Sequence, residues 1–87
     1  MGNMLKLVKL FVELGHTVTV ESENKLTITR LNGNSVKVVR LKIVSGEGQT
    51  FDLYTQRKGQ ANADYIGWSR GYRQAVEAII FAVAEMR

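Results

Sequence analysis

Between Gln56 and Gln74 the chain reads QRKGQANADYIGWSRGYRQ. The cations Arg57, Lys58, Arg70 and Arg73 interleave there with Tyr65, Trp68 and Tyr72, and Tyr54 stands just ahead of them. Flat rings mixed with cations suit two kinds of recognition. On nucleic acid, cations hold phosphates while rings stack on exposed bases. On proteins, Trp, Tyr and Arg supply most of the strongly contributing interface residues. Arg57 and Lys58 are not core residues, and Gly59, Gly67 and Gly71 make the segment pliable, suited to ordering on contact. A structural reading competes: Trp68 and Tyr72 plug the gap where the last helix meets a sheet.

Catalytic chemistry finds little to work with. The single histidine, His16, follows a helix-ending glycine, and there is no cysteine to share a metal with it. Ser22, Ser35, Ser45 and Ser69 occupy turns or a helix cap, where serine serves the backbone. Gly46-Glu47-Gly48 resembles half of a phosphate loop, but no Gly-Lys-Ser/Thr follows it and the next element is a strand. Nothing places Asp52 and Asp64 close enough for paired-carboxylate catalysis. The expectation is a protein that is not an enzyme, with no metal and no cofactor.

The chain has 87 residues, which predicts a single domain over 1–87. The absence of cysteine suits a reducing compartment, and no apolar run reaches the length of a membrane span. Met4–Leu14 is apolar and basic, but Lys6, Lys9 and Glu13 interrupt it, so it reads as a first helix rather than a signal peptide. A cytoplasmic location is expected. The net charge is +4, and its distribution carries more meaning than its size. Lys25, Arg30, Lys37, Arg40 and Lys42 lie in a run without an acid, which points to a positive field on one side of the molecule. Lys37, Arg40 and Lys42 are the residues suited to phosphates. The alternative is that solvated strand positions happen to carry Lys or Arg.

The elements that must position these residues follow from periodicity. Met4–Leu14 has helical spacing, and Gly15 is its left-handed cap. Four strands come next, over 17–21, 26–31, 36–44 and 49–56, with Val18, Val20, Leu26 and Ile28 inward. Asn32-Gly33-Asn34 reads as a hairpin turn with positive φ at both central positions. Ser45-Gly46-Glu47-Gly48 reads as a second hairpin turn, and the mixed parity of Val36–Ile43 asks for a β-bulge near Val38–Val39. The final helix covers 70–86, its apolar stripe running through Tyr72, Val76, Ile79, Val83 and Met86, with Ser69 as N-cap. Short connections make an antiparallel meander, and two amphipathic helices roof one face of it. The fold expected is an α+β two-layer sandwich. Its other face, with Thr19, Thr27, Thr29, Lys37, Arg40, Lys42, Asp52 and Tyr54, is left to solvent or a partner.

Helix, antiparallel strands and a last helix opened by Arg70 and Arg73 ahead of Ala75 are loosely similar to the double-stranded RNA-binding domain. That family's last helix begins Lys-Lys-x-Ala-Lys, whereas this one begins Ser69-Arg70-Gly71-Tyr72-Arg73-Gln74-Ala75. The first half, Leu5–Gly15, Thr17-Val18-Thr19-Val20, Leu26-Thr27-Ile28-Thr29-Arg30 and Asn32-Gly33-Asn34, resembles the opening of anti-CRISPR proteins, small phage-encoded inhibitors of CRISPR nucleases. That resemblance implies a non-enzymatic inhibitor occupying a nuclease surface. The best-known members are acidic DNA mimics and this chain is basic, so the mimicry does not carry over. The leading expectation is a small binding protein that docks a macromolecule, a protein foremost, through Tyr54, Arg57, Lys58, Tyr65, Trp68, Arg70 and Arg73. The alternative is a nucleic-acid-binding domain that adds Lys37, Arg40 and Lys42. A homo-oligomer built through a sheet edge is a third option.

Overall fold

A computed structural model describes residues 3–41 and 49–87 of the chain. Helix α1 (Asn3–Glu13) leads into strands β1 (Thr17–Ser22), β2 (Lys25–Thr29), β3 (Ser35–Arg40), β4 (Thr50–Gln56) and β5 (Asp64–Arg70), and helix α2 (Gly71–Glu85) closes the chain. The strands form one antiparallel sheet in chain order, β1-β2-β3-β4-β5. The architecture is the expected α+β one, with five strands rather than four. The extra strand, β5, lies inside the Gln56–Gln74 segment read above as pliable. The turn at Ser45–Gly48, the outer part of the 36–44 strand and Lys42 fall outside the described residues.

Local chemistry sets the boundaries. After α1, His16 N–H donates to the Phe11 carbonyl and Gly15 N–H to that of Val12, both at 3.0 Å, with Gly15 at φ +90°. That pair of bonds is the Schellman ending, which needs a residue with positive φ at Gly15. The β2–β3 hairpin differs from the expected two-residue turn. Gly33 N–H donates to the Arg30 carbonyl at 3.0 Å, Arg30 N–H donates to the Asn34 carbonyl at 2.8 Å, and among the described residues only glycines have positive φ. Asn32 therefore keeps ordinary φ, and the connection is a three-residue loop whose single left-handed position is Gly33. Two neighbouring carbonyl contacts thus replace the tight mirror-image turn. At the start of α2, Ser69 is a buried strand residue opposite Phe51 and not a cap. The N-cap is Arg70, whose N–H donates to Gln74 Oε1 at 3.1 Å.

Both helices pack on one face of the sheet. Met4, Leu7 and Phe11 of α1 and Ala75, Ile79, Ala82, Val83 and Met86 of α2 share one cluster with Leu26, Ile28, Val36, Val38, Phe51 and Leu53. β3 keeps regular register with both neighbours, so no bulge forms at Val38–Val39. Val39 belongs to the outer face, half-buried between Lys25 and Asp52; an apolar residue on the wet side, not a slip in phase, explains the mixed pattern. The register shifts lie elsewhere, between Val20 and Ser22 and between Leu53 and Tyr54, where Ile66 is the additional residue of β5. Val20, expected inward, is exposed, because β1 is an edge strand.

The C-terminal end of α2 is tied to the far end of the sheet. Asn34 donates from Nδ2 to the Met86 carbonyl at 3.0 Å, and its Oδ1 accepts Lys58 N–H at 2.9 Å. Asn32 Nδ2 donates to the same Met86 carbonyl at 3.0 Å, and an Arg30 Nη1 donates to the Val83 carbonyl. These side chains add donors to carbonyls at the helix's C-terminal end, where the regular ladder runs out.

Candidate docking surface

The outer face of the sheet reads in rows across the strands. One row is Lys25, Val39, Asp52 and Trp68; the next is Thr19, Thr27, Lys37, Tyr54 and Tyr65. The helices lie on the opposite face, so these side chains face outward. Tyr54 and Tyr65 meet edge-on with ring centroids 5.4 Å apart, a favoured aromatic geometry. Trp68 is 59% exposed, and the Arg70 guanidinium lies 6.0 Å from its ring centre, close enough for a cation–π contact. Partial desolvation, with the Asp52 carboxylate beside it, raises the Tyr65 phenol above its ordinary value.

Trp68 therefore does not plug the gap between α2 and the sheet. Tyr72 does pack against the core as a partly buried residue, with Lys6 Nζ 5.6 Å from its ring centre.

The cations expected to act together separate into groups. Arg57 and Lys58 sit in the β4–β5 connection beside the β2–β3 hairpin: Arg57 Nη1 donates to the Arg87 carbonyl at 3.3 Å, and Lys58 flanks Gly33. Arg70 and Arg73 sit at the opposite end of β5 and the start of α2, and Arg73 pairs with Glu77 at 3.5 Å on an exposed helix face. At a rise of about 3.3 Å per residue, β5 alone keeps the two groups about 20 Å apart.

The basic sheet face is also less basic than the run of cations implies. Lys37 Nζ lies 3.6 Å from one Glu21 carboxylate oxygen and donates to Thr27 Oγ1 at 3.3 Å, while Lys25 Nζ lies 3.5 Å from the other Glu21 oxygen. Arg40, expected on the outer face, stands opposite Phe51 with the parity of Val36 and Val38. It donates to Asn24 Oδ1 at 3.0 Å and to the Glu23 carbonyl at 3.2 Å. Glu21 thus pairs with two lysines and offsets one of their two charges, and Arg40 is used to hold the β1–β2 turn.

The Thr27 hydroxyl, donating to Glu21 Oε1 at 2.6 Å, is the main cause that holds the Glu21 carboxyl below its ordinary value of 4.5; partial burial opposes it, and Lys37 and Lys25 add to it. A carboxyl whose folded value is lowered contributes stability above its unfolded value, and loses it as pH falls through the folded one. Glu21→Gln should therefore unfold at lower urea than the parent near neutrality. The two midpoints should converge as pH falls below about 4.5. The gap is small, because exposed ion pairs contribute roughly 0–1 kcal/mol. A gap unchanged down to about pH 3 would contradict this assignment.

Two residues of the surface, Ile66 and Phe81, carry no signal in the reading of the sequence. Ile66, Gly67 and Phe81 line a groove of about 550 Å³ between β5 and α2, together with Leu53, Trp68 and Ala78. The helical spacing of Ala78, Phe81, Ala82 and Glu85 could have placed Phe81 on that flank, had β5 been recognised beside it.

Among the described residues no group of three or more His, Cys, Asp or Glu side chains is placed to hold a metal ion, and no helix is long and apolar enough to cross a membrane. Comparison with protein-family models, curated proteins and solved structures finds no match to this chain.

Proposed function

We propose that this chain is a small, non-catalytic binding protein of the cytoplasm that docks another protein on the outer face of β4 and β5. The observation that carries this reading is the lone tryptophan, Trp68, standing 59% exposed beside Arg70 and one strand residue row from the paired Tyr54 and Tyr65. Such rigid aromatic and arginine side chains, once desolvated, are the anchors of protein interfaces. Occupying a surface of a defence nuclease, as the resemblance to anti-CRISPR proteins implies, is the concrete version. The pairing of Lys25 and Lys37 with Glu21, which offsets one of their two charges, and the use of Arg40 in a turn favour a protein over a nucleic-acid backbone.

The test is affinity capture from native-host cells with the parent, Trp68→Ala and Tyr65→Ala. Trp68→Ala should capture its specific partner at least about tenfold less well. Its melting temperature should move by only a few degrees, because the ring is exposed. Undiminished capture by Trp68→Ala overturns the proposal. So does tight binding of mixed RNA or DNA that weakens with salt at a log–log slope of about −0.7 to −0.9 per phosphate.

A further inference from the structure

Thr27, Asn34, Ser35, Thr55 and Ser69 are the buried polar side chains among the described residues, and the first three have partners. Thr27 donates to Glu21, Asn34 to the Met86 carbonyl and Ser35 to the Gln56 carbonyl. Thr55 and Ser69, 9% and 6% exposed, make no side-chain hydrogen bond among the described residues. No fully enclosed side-chain oxygen there lacks a partner, so both hydroxyls reach solvent. Both line the groove between β5 and α2.

That groove lies on the covered face of the sheet, beside α2. Thr55 shares the inward parity of Phe51 and Leu53, and Ser69 stands opposite Phe51. Between them Gly67, opposite Leu53, has no side chain, and a Cβ there would meet nothing within 4 Å. From the Phe51–Ser69 pair to Thr55 the distance along β4 is about 13 Å, at a rise of about 3.3 Å per residue. The result is an apolar trough of about 550 Å³, bordered by Leu53, Ala78, Phe81 and Ala82, with an unbonded hydroxyl toward each end. Small-molecule sites combine such a lining with a few placed polar groups, in volumes of about 300–1,000 Å³.

Charge distinguishes the two ends. α2 begins at Gly71, directly after Ser69 and Arg70, and the Asn34–Met86 bond holds its last turn at the end of the sheet where Ser35 faces Gln56. The Ser69 end therefore has the positive pole of the helix and the Thr55 end its negative pole. At the Thr55 end Glu85 lines the groove, and Asp64 is the cross-strand neighbour of Thr55. Among the described residues neither carboxylate is in a salt bridge; Asp64 accepts from the Gln60 amide at 2.9 Å. Arg57 and Arg87, at the same end of the molecule, direct their guanidinium groups to the backbone carbonyls of Arg87 and Ala84.

We infer that the groove binds an elongated apolar amine, with its ammonium group at the Thr55 and Glu85 end and a hydroxyl or carbonyl at Ser69. The ammonium group donates to the Thr55 hydroxyl and the Glu85 carboxylate, the apolar body covers Leu53 and fills the space over Gly67, and the Ser69 hydroxyl bonds the far end. This goes beyond the docking surface proposed above, because Thr55 and Ser69 belong to the opposite face of the sheet. Trp68 borders the groove too, so its fluorescence reports occupancy.

Titration of the purified chain with 10-amino-1-decanol, followed by Trp68 emission and thermal melting, tests the inference. Half-saturation is expected near about 0.1 mM, ordinary for a ligand of about 12 heavy atoms. The corresponding diol, which lacks the charge, and decanoate, which reverses it, should each bind at least about tenfold more weakly, although the net charge of +4 would draw an anion. Thr55→Val and Ser69→Ala should each weaken binding about fivefold and leave the melting temperature of the free chain unchanged or raised, since neither hydroxyl is bonded within it. Ala78→Leu, which fills the groove from the helix, should abolish binding. Absence of saturable binding up to about 5 mM overturns the inference. So does decanoate binding as tightly as the amine, or a Thr55→Val or Ser69→Ala variant that binds as the parent does or melts well below it. Both variants should still capture the partner that Trp68→Ala loses, which separates failure of this inference from failure of the docking proposal.

Discussion

Asn34→Ala should lower stability by about 3 kcal/mol, because a buried side chain loses its partners on two distant segments at once. Asn34 is 8% exposed. Its amide donates to the carbonyl of Met86 and accepts from the backbone of Lys58, and its own backbone N–H donates to Asn32 Oδ1 at 2.9 Å. Alanine keeps only the last of these. The Lys58 N–H then loses its acceptor in a part-buried bond, which costs about 1–3 kcal/mol, and the Met86 carbonyl retains only the Asn32 amide. In a chain of this size, each kcal/mol shifts the midpoint by about 4–8 °C, so a thermal melt should fall by roughly 15 °C. Asn32→Ala, at an exposed position, should fall by less than half as much. Equal losses for the two variants would show that Asn34 is not the hub.

Phe51→Ala should be the most damaging single truncation, at about 3–5 kcal/mol. Phe51 is fully enclosed on an interior strand, between Arg40 on β3 and Ser69 on β5, beneath α2. The cavity it leaves is bounded by the sheet on one side and α2 on the other, so collapse can fill little of it. Small domains have stabilities of about 5–15 kcal/mol, so this one substitution removes a large part. Phe81→Ala deletes the same side chain from a position that is 69% exposed. It should change the urea midpoint by less than about 0.5 kcal/mol equivalent. The contrast checks the packing directly: comparable losses at the two positions would mean that Phe81 is enclosed.

Most of the framework was legible because it obeys simple periods. The stripe Met4, Leu7, Phe11 and the stripe Ala75, Ile79, Val83, Met86 mark helices that bury one side, and the alternation of Phe51, Leu53 and Thr55 marks a strand with one dry face. β5 was hidden for a physical reason. As an edge strand it buries only Ser69, and the additional residue at Ile66 breaks its alternation. A strand without a dry face has no hydrophobic period to read. The aromatic cluster was visible as composition, but not the separation of Arg57 and Lys58 from Arg70 and Arg73, which depends on the unseen strand lying between them. Nor could the pairing of Glu21 with Lys37 be read. They sit on β1 and β3, and only the register through Thr27 on β2 brings them together. Asn34 looked like turn chemistry, since an asparagine after Asn-Gly serves a hairpin; its bond to Met86 spans 52 residues.

That long reach has a kinetic consequence. Every strand pairs with its neighbour in the chain, so the sheet can zip up hairpin by hairpin at small loop-closure entropy. The latch of Arg30, Asn32 and Asn34 onto the end of α2 joins segments more than 50 residues apart, and it is expected to engage only after the rate-limiting barrier. In stopped-flow chevrons Asn34→Ala should then accelerate unfolding and leave the refolding limb where it was. A slowed refolding limb would instead place the latch inside the nucleus.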